Sequence, residues 1–169
     1  MTKFKIIKDR IRMSSGFTFI EIIIVTAIFL ILLALITPAV FNFQSTANSD
    51  GIIETLLADI KNQQIKAMTG DTEGRGIPDT YGVQIQPSSY VLFHGQNFLP
   101  QDDTNFTIDI DSQFQIVSTY ANNSIIFASG SGEITNFSES ANQIIIREER
   151  TGKEKTIELN KYGTITSVN

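Results

Sequence analysis

Residues 17–36 (FTFIEIIIVTAIFLILLALI) form an apolar run in which Glu21 is the single charge and Thr18 and Thr26 are the other polar side chains. Twenty residues of helix are about 30 Å long, the thickness of a bilayer's hydrocarbon core. A core helix of a soluble protein is seldom so apolar on every side. The run therefore predicts a transmembrane helix over 17–37. Charge is divided unevenly around it. Residues 1–16 carry Lys3, Lys5, Lys8, Arg10 and Arg12 against Asp9, a net +4, whereas residues 17–169 hold 8 basic and 17 acidic side chains, a net −9. A basic tip on an acidic body predicts a single-pass protein of the cytoplasmic (inner) membrane, with a cytoplasmic N-terminus and an extracytoplasmic C-terminal body. The acidic body also weighs against general nucleic-acid binding, which needs Lys and Arg for phosphates.

Two other readings of the run explain less. A cleavable secretory signal has an apolar core of about 7–15 residues closed by a small-x-small site, and no such site closes this longer stretch. An uncleaved signal-anchor leaves two local facts unexplained: Gly16 stands immediately before the run, and an acid sits five positions into it. The string Ser15-Gly16-Phe17-Thr18-Phe19-Ile20-Glu21, behind a basic leader, resembles the N-terminal signal of bacterial type IV pilins and pseudopilins. The resemblance implies a leader, 1–16, removed by a prepilin peptidase that cuts between Gly16 and Phe17 and N-methylates Phe17. It also implies that Glu21 pairs with the terminal amine of a neighbouring subunit and sets register during assembly. Snorkelling of the Glu21 carboxylate toward the headgroups is the alternative. Pro38 falls on a proline that many family members share, and it should kink or locally open the helix.

Residues 38–70 read as an amphipathic helix continuing into the head. Asn48, Ser49, Asp50 and Gly51 are locally weak for a helix, and a break there is plausible. Ile52, Ile53, Leu56, Leu57 and Ile60 then recur at helical spacing, followed by Ile65 and Met68, and Gly70 suits a helix C-terminus. Beyond the loop 70–80 the period becomes two. Short alternating segments joined by Gly, Asn and Ser turns predict about eight strands in an antiparallel β head over 71–169. The expected fold class is α+β, a long N-terminal helix packed on an antiparallel sheet. Strand order and the segments IIFASGSGEIT and QIIIREERTGKEKTIEL resemble the head of the H-type minor pseudopilin of type II secretion and its type IV pilus relatives.

Candidate chemistry in the head is sparse. The chain has no Cys and one His, His94, which excludes disulfides, thiolate chemistry and multi-His metal sites. His94 reads as a surface histidine; a catalytic base would need a nucleophile and an orienting acid. Asp102, Asp103, Asp109 and Asp111 are oxygen-rich but match no defined calcium loop, so solvated acids are the default and no cofactor is expected. Arg147, Arg150, Lys153, Lys155 and Lys161 are interleaved with Glu148, Glu149, Glu154 and Glu158, the pattern of a salt-laced hairpin. Gly74 and Gly76 lack the Lys-Ser/Thr of a phosphate loop. The expectation is a minor pilin or pseudopilin, not an enzyme, whose partners are the prepilin peptidase, the membrane through 17–36 and other subunits of a filament. The alternative is a pilin head that binds a ligand such as DNA for uptake.

Overall fold

The computed structural model describes residues 16–169, with backbone only for 35–47. The leader expected over 1–16 therefore lies outside the described residues except for Gly16. One α-helix, α1 (Phe19–Thr69), is followed by eight strands: β1 (Tyr81–Gln86), β2 (Ser89–His94), β3 (Phe106–Asp109), β4 (Phe114–Ser118), β5 (Ser124–Phe127), β6 (Gln143–Glu148), β7 (Glu154–Leu159) and β8 (Ile165–Val168). A 3-10 turn, Ala121–Asn123, precedes β5. The chain divides into two compact units, one up to Gln44 and one from Ser45 to Asn169.

The membrane reading is corrected. Among the described residues no helix is long and apolar enough to cross a membrane. The helix opens at Phe19 rather than at the start of the apolar run, and Glu21 puts a charge in its first turn. The transmembrane helix over 17–37, the transmembrane half of the expected fold class and the single-pass placement in the inner membrane are overturned together. A single antiparallel sheet is also incorrect. The strands form two four-stranded antiparallel sheets, ordered β3-β2-β1-β5 and β4-β6-β7-β8. The chain changes sheet at β4, returns at β5 and changes again at β6, so the segregation is invisible to local periodicity.

Pro38 and the Asn48–Gly51 stretch both lie inside α1, whose helical run continues on either side of them. Pro38 removes one backbone donor without ending the helix. The C-terminus is closed by a Schellman motif: Gly70, at φ 66°, donates to the Ala67 carbonyl at 3.3 Å and Asp71 to that of Lys66 at 3.0 Å.

Within the second unit, α1 and both sheets share one core. Ile53, Leu56 and Ile60 pack with Val83, Ile85, Ile125 and Phe127 of the first sheet and with Ile116, Ile144, Ile146, Ile157 and Leu159 of the second. The buried stripe on α1 departs from the expected one past Ile60. Ile65 and Met68 are about half exposed, and the inward positions are Gln63, Gln64 and Ala67. These keep the i+3, i+4, i+7 spacing, so the helix face is continuous while its chemistry changes from aliphatic to amide.

Gln64 explains the change. Its Nε2 donates to the carbonyls of Gly132 (2.8 Å) and Tyr162 (2.7 Å), and its Oε1 accepts from Lys61 Nζ (2.7 Å). One side chain thus fastens the helix to the turn after β5 and to the β7–β8 turn. Gly163 is required there, since a Cβ would lie 2.7 Å from Gln64 Nε2 and its φ is 66°.

Tyr120 supplies a contrasting case. It is buried, and its hydroxyl has no hydrogen-bond partner among the described residues; burial pushes its pKa up to about 12. Removing an unpaired buried hydroxyl relieves a desolvation cost, so Tyr120→Phe is expected to stabilise the head by about 1 kcal/mol. Urea denaturation of the two proteins checks this, and a destabilised variant would show that the hydroxyl has a partner.

Candidate functional site

The N-terminal end of α1 is built by four residues. Thr18 is the helix N-cap and Glu21 stands three positions later. The Thr18 backbone N–H and its hydroxyl both donate to Glu21 Oε2 at 2.8 Å, and the Glu21 backbone N–H donates to Thr18 Oγ1 at 3.3 Å. This reciprocal pair is a capping box, which satisfies helix-end donors that have no intrahelical acceptor. It fixes the helix start at Phe19 and leaves Gly16 and Phe17 outside the helix and exposed, Phe17 at 86%. The Gly16–Phe17 bond is accordingly in non-helical, accessible backbone, the form a protease active site accepts. The cap gives Glu21 a role within its own chain that its Thr-x-x-Glu spacing already signals. Pro38 is well inside the helix and takes no part in this end.

The head residues singled out from sequence are placed as follows. His94, at the end of β2, is mostly buried between two carboxylates: Nδ1 lies 3.0 Å from Asp79 Oδ2 and Nε2 3.5 Å from Asp102 Oδ2. It is thus a tie between the segment before β1 and the loop after β2. Burial pushes the Asp79 carboxyl upward, but hydrogen bonds from His94 and the Thr80 N–H outweigh it and hold the group below its usual value. Hydrogen bonds from the Thr104 hydroxyl and N–H lower the Asp102 carboxyl similarly. Both ring nitrogens face acids, and no hydroxyl hydrogen-bonds to the ring among the described residues, so a nucleophile–base pair of the hydrolase kind is not assembled here.

Asp109 and Asp111 lie on the rim of a cleft of about 480 Å³, with Ile52, Tyr90 and Ile108 on its walls. Among the described residues no group of three or more His, Cys, Asp or Glu comes together to hold a metal ion. Asp111 instead accepts from the Gln113 N–H at 2.9 Å, the local turn such a residue commonly makes. Four of the five basic side chains there are engaged by acids. Arg147 pairs with Glu154 at 2.6 Å, Arg150 with Glu148 at 3.4 Å, Lys161 with Glu133 at 2.9 Å, and Lys155 with Asp50 of α1. Apart from the buried Glu148, these side chains are largely solvated, and ion pairs screened by water add little to stability. Their significance is that they leave little free positive charge on that hairpin.

A network absent from the sequence reading surrounds Tyr81. Its hydroxyl donates to the Asp71 carbonyl (2.8 Å) and accepts from Arg75 Nη2 (2.9 Å), while Glu73 bridges Arg75 (2.9 Å) and Lys66 (2.7 Å). It organises the otherwise irregular 70–80 loop against the helix end. The partners are two to ten positions apart, spread over the end of α1, the loop and the start of β1, so no sequence pattern announces them. Comparison with known proteins found no matching family model, curated protein or solved structure.

Proposed function

We propose that this chain is a structural subunit of a pilus-like or pseudopilus-like filament, a minor pilin or pseudopilin. It would be cut between Gly16 and Phe17 by a prepilin peptidase, methylated at Phe17 and assembled through α1. The observation that carries the reading is the exposed, non-helical Gly16–Phe17 bond directly ahead of the Thr18–Glu21 capping box. A second support is the surface of the helix that follows. Phe19, Val25, Phe29, Leu30 and Ile31 are each 60–79% exposed, and a continuous apolar surface of that kind needs a cover. The equivalent helices of neighbouring subunits supply one of matching length and chemistry. No catalytic residue is invoked; the chain is a protease substrate.

The test is co-expression with a prepilin peptidase, followed by intact mass and N-terminal sequencing. A mature chain beginning at N-methyl-Phe17 supports the proposal, and a chain still beginning at Met1 overturns it. The role of Glu21 is separable from its capping role, because Gln is accepted at the same capping-box position. Glu21→Gln is expected to be cleaved like the parent yet to enter filaments at less than about a tenth of the parental level, as loss of a buried charge pair predicts. Parental levels of incorporation would remove the charge from the assembly mechanism.

A further inference from the structure

The face of the first sheet turned away from the core carries a pocket of about 460 Å³, and its lining is unlike the rest of the surface. In β1 and β5, Val83, Ile85, Ile125 and Phe127 point into the core, so the alternate positions Gln84, Ser124 and Ile126 form the floor of the opposite face. Gln96, Asn97 and Phe98 after β2 form one wall; Asn122, before β5, and Thr135 and Asn136, after it, form the other. No lining residue is ionisable, although the chain as a whole carries a net charge of −5.

The polar groups divide into a fixed set and a free set. Gln84 Nε2 donates to the Asn122 carbonyl at 3.0 Å, Gln84 Oε1 accepts from the Ser124 hydroxyl, and Asn136 Nδ2 donates to the Ser124 carbonyl at 2.7 Å. These bonds hold the floor rigid. The side-chain amides of Gln96, Asn97 and Asn122 make no hydrogen bond within the described residues, and each offers two donors and an acceptor. Phe98 is held by an edge-to-face contact with Phe93, ring centroids 5.6 Å apart. Phe93 in turn occupies the space over Gly82, where a Cβ would lie 2.5 Å from its ring. Asn122 adopts a left-handed backbone, φ 56°, a conformation seldom taken by residues with side chains.

The geometry points to a binding site for a neutral oligosaccharide. Sugar hydroxyls both donate and accept, which paired amide groups match without charge, and the apolar face of a pyranose ring is covered by an aromatic such as Phe98. A phosphate or nucleic acid would need cations, which the lining lacks. A peptide added as a strand would need a free sheet edge, whereas this floor is the face of β1 and β5; β1 is hydrogen-bonded on both sides, and the outer edge of β5 is taken up by Thr135 and Asn136. The volume lies within the range of small-ligand sites.

Saturation-transfer NMR on the full chain, with maltotriose, cellotriose, chitotriose and N-acetyllactosamine as probes, tests the site. Transfer to at least one sugar is expected, unchanged at high salt. Phe98→Ala is expected to weaken it about tenfold. Because Phe98 also packs on Phe93, a second variant guards against misfolding. Asn122→Gly removes one free amide while suiting the left-handed backbone, and should weaken binding about fivefold with an unaltered melting temperature. No transfer to any of the four sugars, a response equal in both variants and the parent, or binding confined to a peptide or to DNA would each overturn the assignment.

Discussion

Replacing Gln64 with Leu is expected to destabilise the unit from Ser45 to Asn169 by about 3 kcal/mol and to lower its melting temperature by roughly 10 °C. Leu keeps most of the buried volume, so the loss isolates the hydrogen bonds. The carbonyls of Gly132 and Tyr162 lose their bonds to Nε2, and each sits in a turn that the helix otherwise holds by few groups. One of these is the Ala67 carbonyl, which accepts from the Gly130 N–H at 2.8 Å. Gln64→Glu should be worse, because a carboxylate would face two carbonyl oxygens with no donor between them. Thermal denaturation followed by circular dichroism gives the comparison. A Leu variant within 0.5 kcal/mol of the parent, a margin no larger than that of a neutral surface change, would show that water replaces the amide without cost.

Leu56→Ala is the second large effect, at about 3–4 kcal/mol. Leu56 is fully buried at the centre of the core shared by α1 and both sheets. Neighbours on three elements cannot all relax into the space left behind, so a cavity cost adds to the lost transfer energy. Ile65→Ala, nine positions on along the same helix, should cost under about 1 kcal/mol because Ile65 is 47% exposed. The pair is informative because both residues belong to the stripe read from sequence. Equal losses would mean that the helix is rotated from the orientation described.

That stripe also marks how far periodicity carries. Ile53, Leu56 and Ile60 are inside as their spacing implies, and the eight strands fall in the short alternating segments or apolar runs between turn residues. Past Ile60 the rule of apolar residues inside fails, because the helix meets two turns whose carbonyls require donors. Gln63 and Gln64 take the inward positions while Ile65 and Met68 face out. Sheet membership was not legible, since nothing within β4 or β5 names its pairing partner and long-range pairing alone assigns them to different sheets. The membrane reading relied on hydropathy along one run, and the helix start set by Thr18 and Glu21 shortens what that run offers. The capping box itself is legible in Thr18-Phe19-Ile20-Glu21, although the resemblance to a processing signal implies a different role for Glu21. In the candidate pocket, alternation sets Gln84 and Ser124 apart from the inward residues of their own strands, but that the two share a face follows only from the β1–β5 pairing. The approach of Phe98 and Asn122 to that face depends on loop geometry that no local pattern encodes.

The shared core has a consequence in time. Ile53 and Leu56 near its start are covered in part by Ile157 and Leu159 of β7, about a hundred positions later in the chain. A ribosome adding roughly 5–20 residues per second leaves the helix stripe uncovered for on the order of ten seconds before the strand that seals it emerges. Contacts this distant also close slowly once available. The nascent protein therefore spends its most vulnerable interval with its stickiest helix already made, which should make its yield in the cell depend on holding chaperones and on translation speed through residues 70–157.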